Sequence, residues 1–398
     1  MGLNETPSAE RVQIGFFGLR NAGKSSLVNR ITNQEMSLVS DVKGTTTDPV
    51  KKSMELLPLG PVTVIDTPGF DDEGELGSMR VARTKEVLAV CDIAVLVTEN
   101  EALSAKELEL KTLIEKRDIP FITVHNKTDL RGRPGDGGSG ELYVSSLSGE
   151  GIEDVKNALA ELAPKKKSVR FVADLIREGD TVVLVIPIDT SAPKGRIILP
   201  QQQAIRDILD VNAVSAVTGV ENLGYTISSM KKPPALVITD SQAFAQVMKI
   251  VPEEIPLTSF SILMARYKGF LDQAVAGAKA IGTLGDGAHI LISEGCTHHR
   301  QCEDIGTVKL PAMLRKKTGK ELRFDYSSGH SFPDDLSSFD LVIHCGACML
   351  GDNEVALRMK KAEAQGIPFT NYGTSIAYMN GILERSIAPI LKINTKDG

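Results

Sequence analysis

One octapeptide restricts the architecture of this 398-residue chain more than any other feature. Gly18-Leu19-Arg20-Asn21-Ala22-Gly23-Lys24-Ser25 follows directly on the apolar run Val12–Phe17, read as a strand, and opens the stretch Ser26–Ile31, which has helical spacing. The pattern is GxxxxGKS in the strand–loop–helix setting that its chemistry requires. Glycines let successive backbone N–H groups turn inward onto phosphate oxygens. Lys24 then reaches the outer phosphates, and the Ser25 hydroxyl meets the magnesium ion that accompanies them. Gly18, Asn21, Ala22, Gly23, Lys24, Ser25 and Ser26 form the phosphate-binding set on this reading.

Further stretches follow in the order such a site needs. Val62–Ile65 reads as a strand and ends in Asp66-Thr67-Pro68-Gly69, where Asp66 can hold magnesium through water and the Gly69 amide can sense the terminal phosphate. Phe121–Val124 delivers Asn126-Lys127-Thr128-Asp129. The Asp129 carboxylate suits the ring N–H and exocyclic amino donors of guanine, which adenine lacks, so the motif selects GTP over ATP. Ser145-Ser146-Leu147, after Leu142–Val144, fits the last guanine-contacting loop. Gly44-Thr45-Thr46-Thr47-Asp48 lies where a first switch belongs, with Thr46 as the magnesium-sensing hydroxyl. Lys24, Ser25, Thr46, Asp66 and Gly69 are the expected catalytic set for hydrolysis of GTP.

These motifs resemble those of the translation-factor-related GTPases, and within them the branch of potassium-dependent tRNA-modifying and ribosome-assembly enzymes with a Gly-Thr-Thr switch. Phe70 stands where Ras-like enzymes carry the glutamine that orients water, so another device is needed. Asn21 matches the asparagine that helps hold K⁺ in that branch, which implies slow hydrolysis stimulated by K⁺. Its plainer reading is an Asx-turn residue.

A chain of 398 residues exceeds one ordinary core and suggests two or three domains. Its net charge of −6 provides no basic field for nucleic acid or an anionic membrane surface. The basic run Lys165-Lys166-Lys167 reads as a solvated linker. A polar N-terminus, and no apolar run near the ~20 residues that span a bilayer, point to the cytoplasm. Five cysteines, an odd and small number, argue against a secreted disulfide framework and leave metal binding or reactivity. The expected class is α/β in three domains: a P-loop GTPase domain (1–165), a small α/β dimerisation domain (169–264) and a parallel-sheet α/β cluster-binding domain (265–398). In the middle one, Thr181–Ile188, Ala213–Val217 and Ala235–Thr239 read as strands and Gln201–Asp210 and Ser241–Ile250 as helices, with no catalytic constellation. Self-association through an edge strand or helix face is the role expected of it, with a plain spacer between its neighbours as the alternative.

In the last part, Ile290–Ser293 and Leu341–Ile343 read as buried strands of a doubly wound parallel sheet, each followed by a thiol-bearing stretch. Cys296-Thr297-His298-His299 follows the first and His344-Cys345-Gly346-Ala347-Cys348 the second. Loops leaving the carboxyl ends of such strands hold ligands, so a metal or iron–sulfur site on Cys296, Cys345 and Cys348 is the expectation. Glu294, His298 and His344 are candidates for a fourth position, and either histidine could equally stand behind the ligands as a hydrogen-bond donor or be a satisfied core residue. A four-cysteine zinc site that includes Cys302 is the alternative.

Cys296-x-His298 and His344-Cys345-x-x-Cys348, downstream of a potassium-type GTPase domain, resemble the [FeFe]-hydrogenase maturation GTPases over the whole chain. The resemblance implies a homodimeric scaffold that binds a [4Fe-4S] cluster on the three cysteines. It also implies transfer of a diiron precursor to apo-[FeFe]-hydrogenase, with two radical S-adenosylmethionine maturases as further partners. In relatives the fourth ligand can be acidic and two residues before the first cysteine, here Glu294. The competing reading is an RNA-modification or ribosome-assembly GTPase with a zinc-stabilised C-terminal domain, which the acidic balance disfavours.

Overall fold

The computed structural model describes residues 10–33, 49–70, 74–131, 140–164, 169–187, 197–295, 305–329 and 331–394. The switch stretch around Thr46, the linker lysines, Cys296, His298, His299 and Cys302 lie outside the described residues. The chain divides into two compact units, Met1–Lys166 and Lys167–Gly398.

The first unit runs β1 (Val12–Phe17), α1 (Lys24–Thr32), β2 (Val50–Leu56), β3 (Gly60–Asp66), α2 (Gly74–Val90), β4 (Ile93–Thr98), α3 (Ala105–Glu115), β5 (Phe121–His125), α4 (Thr128–Arg131), β6 (Glu141–Tyr143) and α5 (Ile152–Leu162). Its six strands are ordered β2-β3-β1-β4-β5-β6, parallel except for β2 against β3. Central β4 is buried along its whole length, as a strand covered on both faces must be, and all its residues but Thr98 are apolar. Consecutive residues of β1 feed opposite cores: Phe16 packs with Leu27, Val28, Val155 and Leu159, and Phe17 with Leu88, Leu110 and Ile114. Strand β2 was not foreseen. Its Lys51 and alternate exposure make it a polar edge, which hides it from an apolar-run reading. Cys91 is buried in the second core, where burial pushes its thiol well up.

The second unit holds two four-stranded, all-parallel sheets. The first comprises β7 (Thr181–Val185), α6 (Leu199–Asp210), β8 (Val214–Thr218), α7 (Leu223–Ser228), β9 (Leu236–Thr239), α8 (Phe244–Ile250), β10 (Leu257–Ser259) and α9 (Phe260–Tyr267), in strand order β10-β9-β7-β8. The second comprises α10 (Leu271–Ala280), β11 (His289–Glu294), α11 (Leu310–Thr318), β12 (Arg323–Ser328), β13 (Leu341–His344), α12 (Asp352–Ala364), β14 (Phe369–Asn371), α13 (Tyr372–Met379) and α14 (Leu383–Asn394), in order β12-β11-β13-β14. A π-helical turn, Ile305–Lys309, leads into α11.

One apolar cluster serves both sheets, joining Val183, Ile238 and Leu257 to Ile290, Ile343 and Ile387. The closing helix expected from Ser375 is two helices, parted at Gly381, whose φ of 73° suits glycine. The second, α14, packs on β10 of the other sheet, and Arg385 donates to the carbonyls of Val251 and Pro252 at 3.1 and 2.6 Å. Helix α10 lies so close to β14 that a Cβ on Gly277 would stand 2.2 Å from the Phe369 carbonyl oxygen. Among the described residues no helix is long and apolar enough to cross a membrane.

Candidate functional site

The phosphate loop is built where β1 meets α1. Gly18 has φ 149°, and a Cβ there would meet the Val97 carbonyl oxygen at 2.1 Å, so the position admits only glycine. Asn21 adopts φ 63° and Gly23 φ 87°, which turns the chain into α1 at Lys24, two residues earlier than the apolar spacing alone gives. The ammonium of Lys24 is held inside the loop by the carbonyls of Gly18 and Leu19 at 3.1 and 2.8 Å.

The Ser25 hydroxyl donates to Asp66 Oδ2 at 2.5 Å, which joins two motifs 41 residues apart. Asp66 Oδ1 is buried with no hydrogen-bond partner among the described residues. Burial raises the Asp66 carboxyl above its ordinary range, against the pull of Ser25 and Lys24. A buried carboxylate oxygen left over beside a hydroxyl is a hard-oxygen donor set, and it fits magnesium. Gly69 passes so close to the loop that a Cβ would stand 2.8 Å from the Arg20 nitrogen, and the Phe70 amide donates to the Gly18 carbonyl at 3.1 Å. Phe70 itself is buried in the α2/α3 core, so the residue at this place anchors the loop and reaches no water.

The guanine motifs converge through side chains. Asn126 donates to the Ala22 carbonyl at 3.3 Å and accepts from the Ser146 amide and hydroxyl at 3.1 and 2.8 Å, so it splints the phosphate loop to the last loop. Ser145 donates to Asp129 Oδ1 at 2.6 Å and orients that carboxylate. Lys127, at φ 67°, pairs with Glu99 at the end of β4. Glu99 was not singled out from the sequence, because it lies 28 residues from its partner and belongs to no motif.

A second constellation lies in the second unit, at the carboxyl edge of the β12-β11-β13-β14 sheet. Ser293 pairs with His344 in register, so Glu294 and Gly295 leave the edge beside Cys345. The Cys345 sulfur accepts from the amides of Gly295 and Ala347 at 3.1 and 3.4 Å. Two backbone N–H groups aimed at one sulfur stabilise its thiolate, the form that ligates metal. Cys348 is raised by burial, while the nearby Lys268 ammonium lowers it. Lys268 comes from the end of α9, donates to the Leu350 carbonyl at 2.7 Å and pairs with Asp352 at 2.9 Å. Glu294 Oε1 accepts from the Tyr372 phenol at 3.0 Å.

Of the roles open to His344, the structure favours the brace. Its ring is fully buried, Nε2 faces Arg358 Nη1 at 3.0 Å, and Nδ1 lies 3.0 Å from the Cys345 carbonyl oxygen. Because guanidinium can only donate, Nε2 accepts and Nδ1–H donates to the carbonyl. Burial and the Arg358 charge press its pKa down to about 4. With both nitrogens committed it has no lone pair to offer a metal, and it braces the cysteine loop from beneath. Among the described residues no group of three His, Cys, Asp or Glu side chains is gathered as for a metal ion. Cys345, Cys348 and Glu294 do share one edge, and the amide-supported sulfur and soft donors fit an iron–sulfur group.

Family comparisons agree with this division. A model of the hydrogen maturase F dimerization domain matches residues 171–269, and one of the hydrogen maturase F tetramerization domain matches 272–389, together more than half of the chain. The chain belongs to the hydrogen maturase F family. Ahead of these two domains a model described as a 50S ribosome-binding GTPase matches 13–127, so the first unit of this family member is a GTPase domain. The tRNA modification GTPase MnmE of Nitrosomonas europaea is 33% identical over 160 residues, which cover 39% of this chain and 35% of that protein. GTPase Der of Wolinella succinogenes is 38% identical over 136 residues, covering 33% and 28%. The chain thus spans about a third of the length of the curated relatives it matches. Among solved structures, Era from Aquifex aeolicus bound to GDP and AlF4⁻ matches with a TM-score of 0.35 at 18% identity, over 52% of this chain and 92% of that one. The G domain of the T. maritima FeoB iron transporter matches with a TM-score of 0.30 at 23% identity, over 39% and 100%.

Proposed function

We propose that this chain hydrolyses GTP to GDP and phosphate and acts as an iron–sulfur scaffold in [FeFe]-hydrogenase maturation. Cys296, Cys345 and Cys348 hold a [4Fe-4S] cluster in this reading, and the scaffold carries a diiron precursor to apo-hydrogenase. The two radical S-adenosylmethionine maturases are its other partners, the cytoplasm its place, and 1–165, 169–264 and 265–398 its three working parts. The observation that carries the proposal is the Cys345 sulfur held by two amides at the carboxyl edge of a sheet in the domain that also matches hydrogen maturase F.

In the GTPase unit, Ser25 and Asp66 would hold magnesium with Thr46, and Asn21 would hold K⁺. When bound, the two cations neutralise charge that develops on the phosphate oxygens. Lys24 adds its own charge from within the loop, the Gly69 amide touches the terminal phosphate, and Asp129, aimed by Ser145, reads guanine. In the cluster domain, Cys296, Cys345 and Cys348 would hold the iron–sulfur group with three thiolates, which would leave one position for an exchangeable ligand. Glu294 supplies that ligand, with His298 as the other donor open to it.

The homodimer seam we assign to β8. Among the described residues it is the open edge of its sheet, since β10 at the other edge is buried under α14. Val214 and Val217 on it are each 54% exposed, flanked by exposed Leu209 and Tyr225.

Anaerobic reconstitution with iron and sulfide tests the reading. A fast-relaxing [4Fe-4S]⁺ signal in EPR of the reduced protein, lost in Cys296→Ala and Cys348→Ala, is expected. Tight zinc with no reconstitutable cluster overturns it in favour of the RNA-linked GTPase.

A further inference from the structure

Described residues hold the half-buried contact between Glu294 and Tyr372 from two directions. Tyr372 opens α13, and the residues around its backbone are fixed by a buried polar network. Asn371 donates to the Ser261 carbonyl at 3.0 Å, the Gly373 amide donates to Ser261 Oγ at 3.2 Å, and the Thr374 amide donates to Asn371 Oδ1 at 2.9 Å. Thr370, Asn371 and Thr374 have no exposed surface. From the other side the π-helical turn brings Gly306 down on the pair. A Cβ at Gly306 would stand 2.3 Å from the Tyr372 oxygen and 2.7 Å from Glu294 Oε1. A π-turn costs regular helix geometry, and such turns recur at functional sites.

A carboxylate that has to leave a metal inside a protein needs somewhere to go. Released without a partner into a half-buried site, its charge is penalised, and it rebinds. A phenol fixed at hydrogen-bond distance accommodates the released form and draws charge from the bound form, so both effects weaken the bond to metal. We propose that Tyr372 is the positioning residue that keeps Glu294 an exchangeable ligand, with Gly306 as the wall that holds carboxylate and phenol together. The site would then admit a small neutral or anionic donor, the class to which a terminal ligand of a bridging metal fragment belongs. This assignment rests on the cluster reading above.

The test is the affinity of the reconstituted full-length protein for added imidazole, read from nitrogen couplings in pulsed EPR, with iron per chain measured alongside. Tyr372→Phe is expected to weaken imidazole binding about tenfold, because the carboxylate then clings to iron. Glu294→Ala is expected to strengthen it. Opposite signs separate this role from mere loosening of the site, which would move both variants the same way. Wild-type affinity in Tyr372→Phe, or a shift in the direction of Glu294→Ala, overturns the assignment while leaving the scaffold intact. Failure of the wild-type protein to form any cluster overturns the proposed function itself. Should Tyr372→Phe not fold, Gly306→Ala, which forces the pair apart, must weaken imidazole binding as well; unchanged affinity there also overturns the assignment.

Discussion

Arg358 donates to Nε2 of His344 at 3.0 Å and so decides which nitrogen of that imidazole carries its proton. The same guanidinium pairs with Glu354 one helical turn back and donates to the Gly329 carbonyl. Their side chains are 3% and 7% exposed, so this is a buried ion pair beneath the cysteine loop. Breaking such a pair from one side strands the other charge. Arg358→Met is therefore expected to lower the stability of the second unit by about 3–5 kcal/mol in urea unfolding. The double variant Arg358→Met/Glu354→Leu should lose less than the single one, and an equal or larger loss would contradict the account.

Among the described residues, the Ser145 side-chain oxygen donates to Asp129 at 2.6 Å and otherwise only accepts from the Ser148 amide within its own turn. Ser145→Ala should leave the base-reading carboxylate free to turn away. Titration with a fluorescent GDP analogue is expected to give roughly tenfold weaker binding. Unchanged affinity would mean that the bond orients nothing.

In the proposed function, Asn21 is the residue that would make turnover depend on potassium. Replacing K⁺ by Na⁺ at constant ionic strength should slow GTP turnover in the wild-type protein, and Asn21→Ala should be slow and indifferent to the exchange. A variant that still responds to K⁺ would move that cation elsewhere.

At the open edge of the first sheet of the second unit, Val217→Lys places a charge where we assign the seam. Sedimentation should show the assembly reduced to smaller species, with the far-UV spectrum preserved. An unaltered sedimentation profile would exclude β8.

Gly277 has no room for a methyl group against Phe369. Gly277→Ala is expected to cost about 1–3 kcal/mol through overpacking, despite alanine's better helix propensity, as measured by thermal denaturation.

Contiguous chemistry was legible in the sequence. The phosphate loop, Asp66 and Asp129 each sit in a local pattern whose spacing states its purpose, and β4, buried end to end, shows itself as an apolar run. The residues that brace these groups were not legible. Tyr372 lies 78 residues from Glu294 and Lys268 lies 82 from Leu350, and a side chain that acts across such distances leaves no periodic or motif signal. Strand β10 was hidden by its length of three residues, and β2 by its lysines. His344 stayed open between a ligand and a residue bracing one, because a histidine beside a cysteine suits both, and its burial against Arg358 favours the brace.

Ile387 and Ile390 on the final helix fill the core beneath the first sheet of the second unit. A helix that follows the second sheet in sequence is thus physically part of the first. Deleting residues 383–394 would uncover β10 and create a second sticky edge opposite β8, turning a closed pairing into an open-ended one. A lesion in this helix would then surface as polymerising protein, well before any question of iron arose.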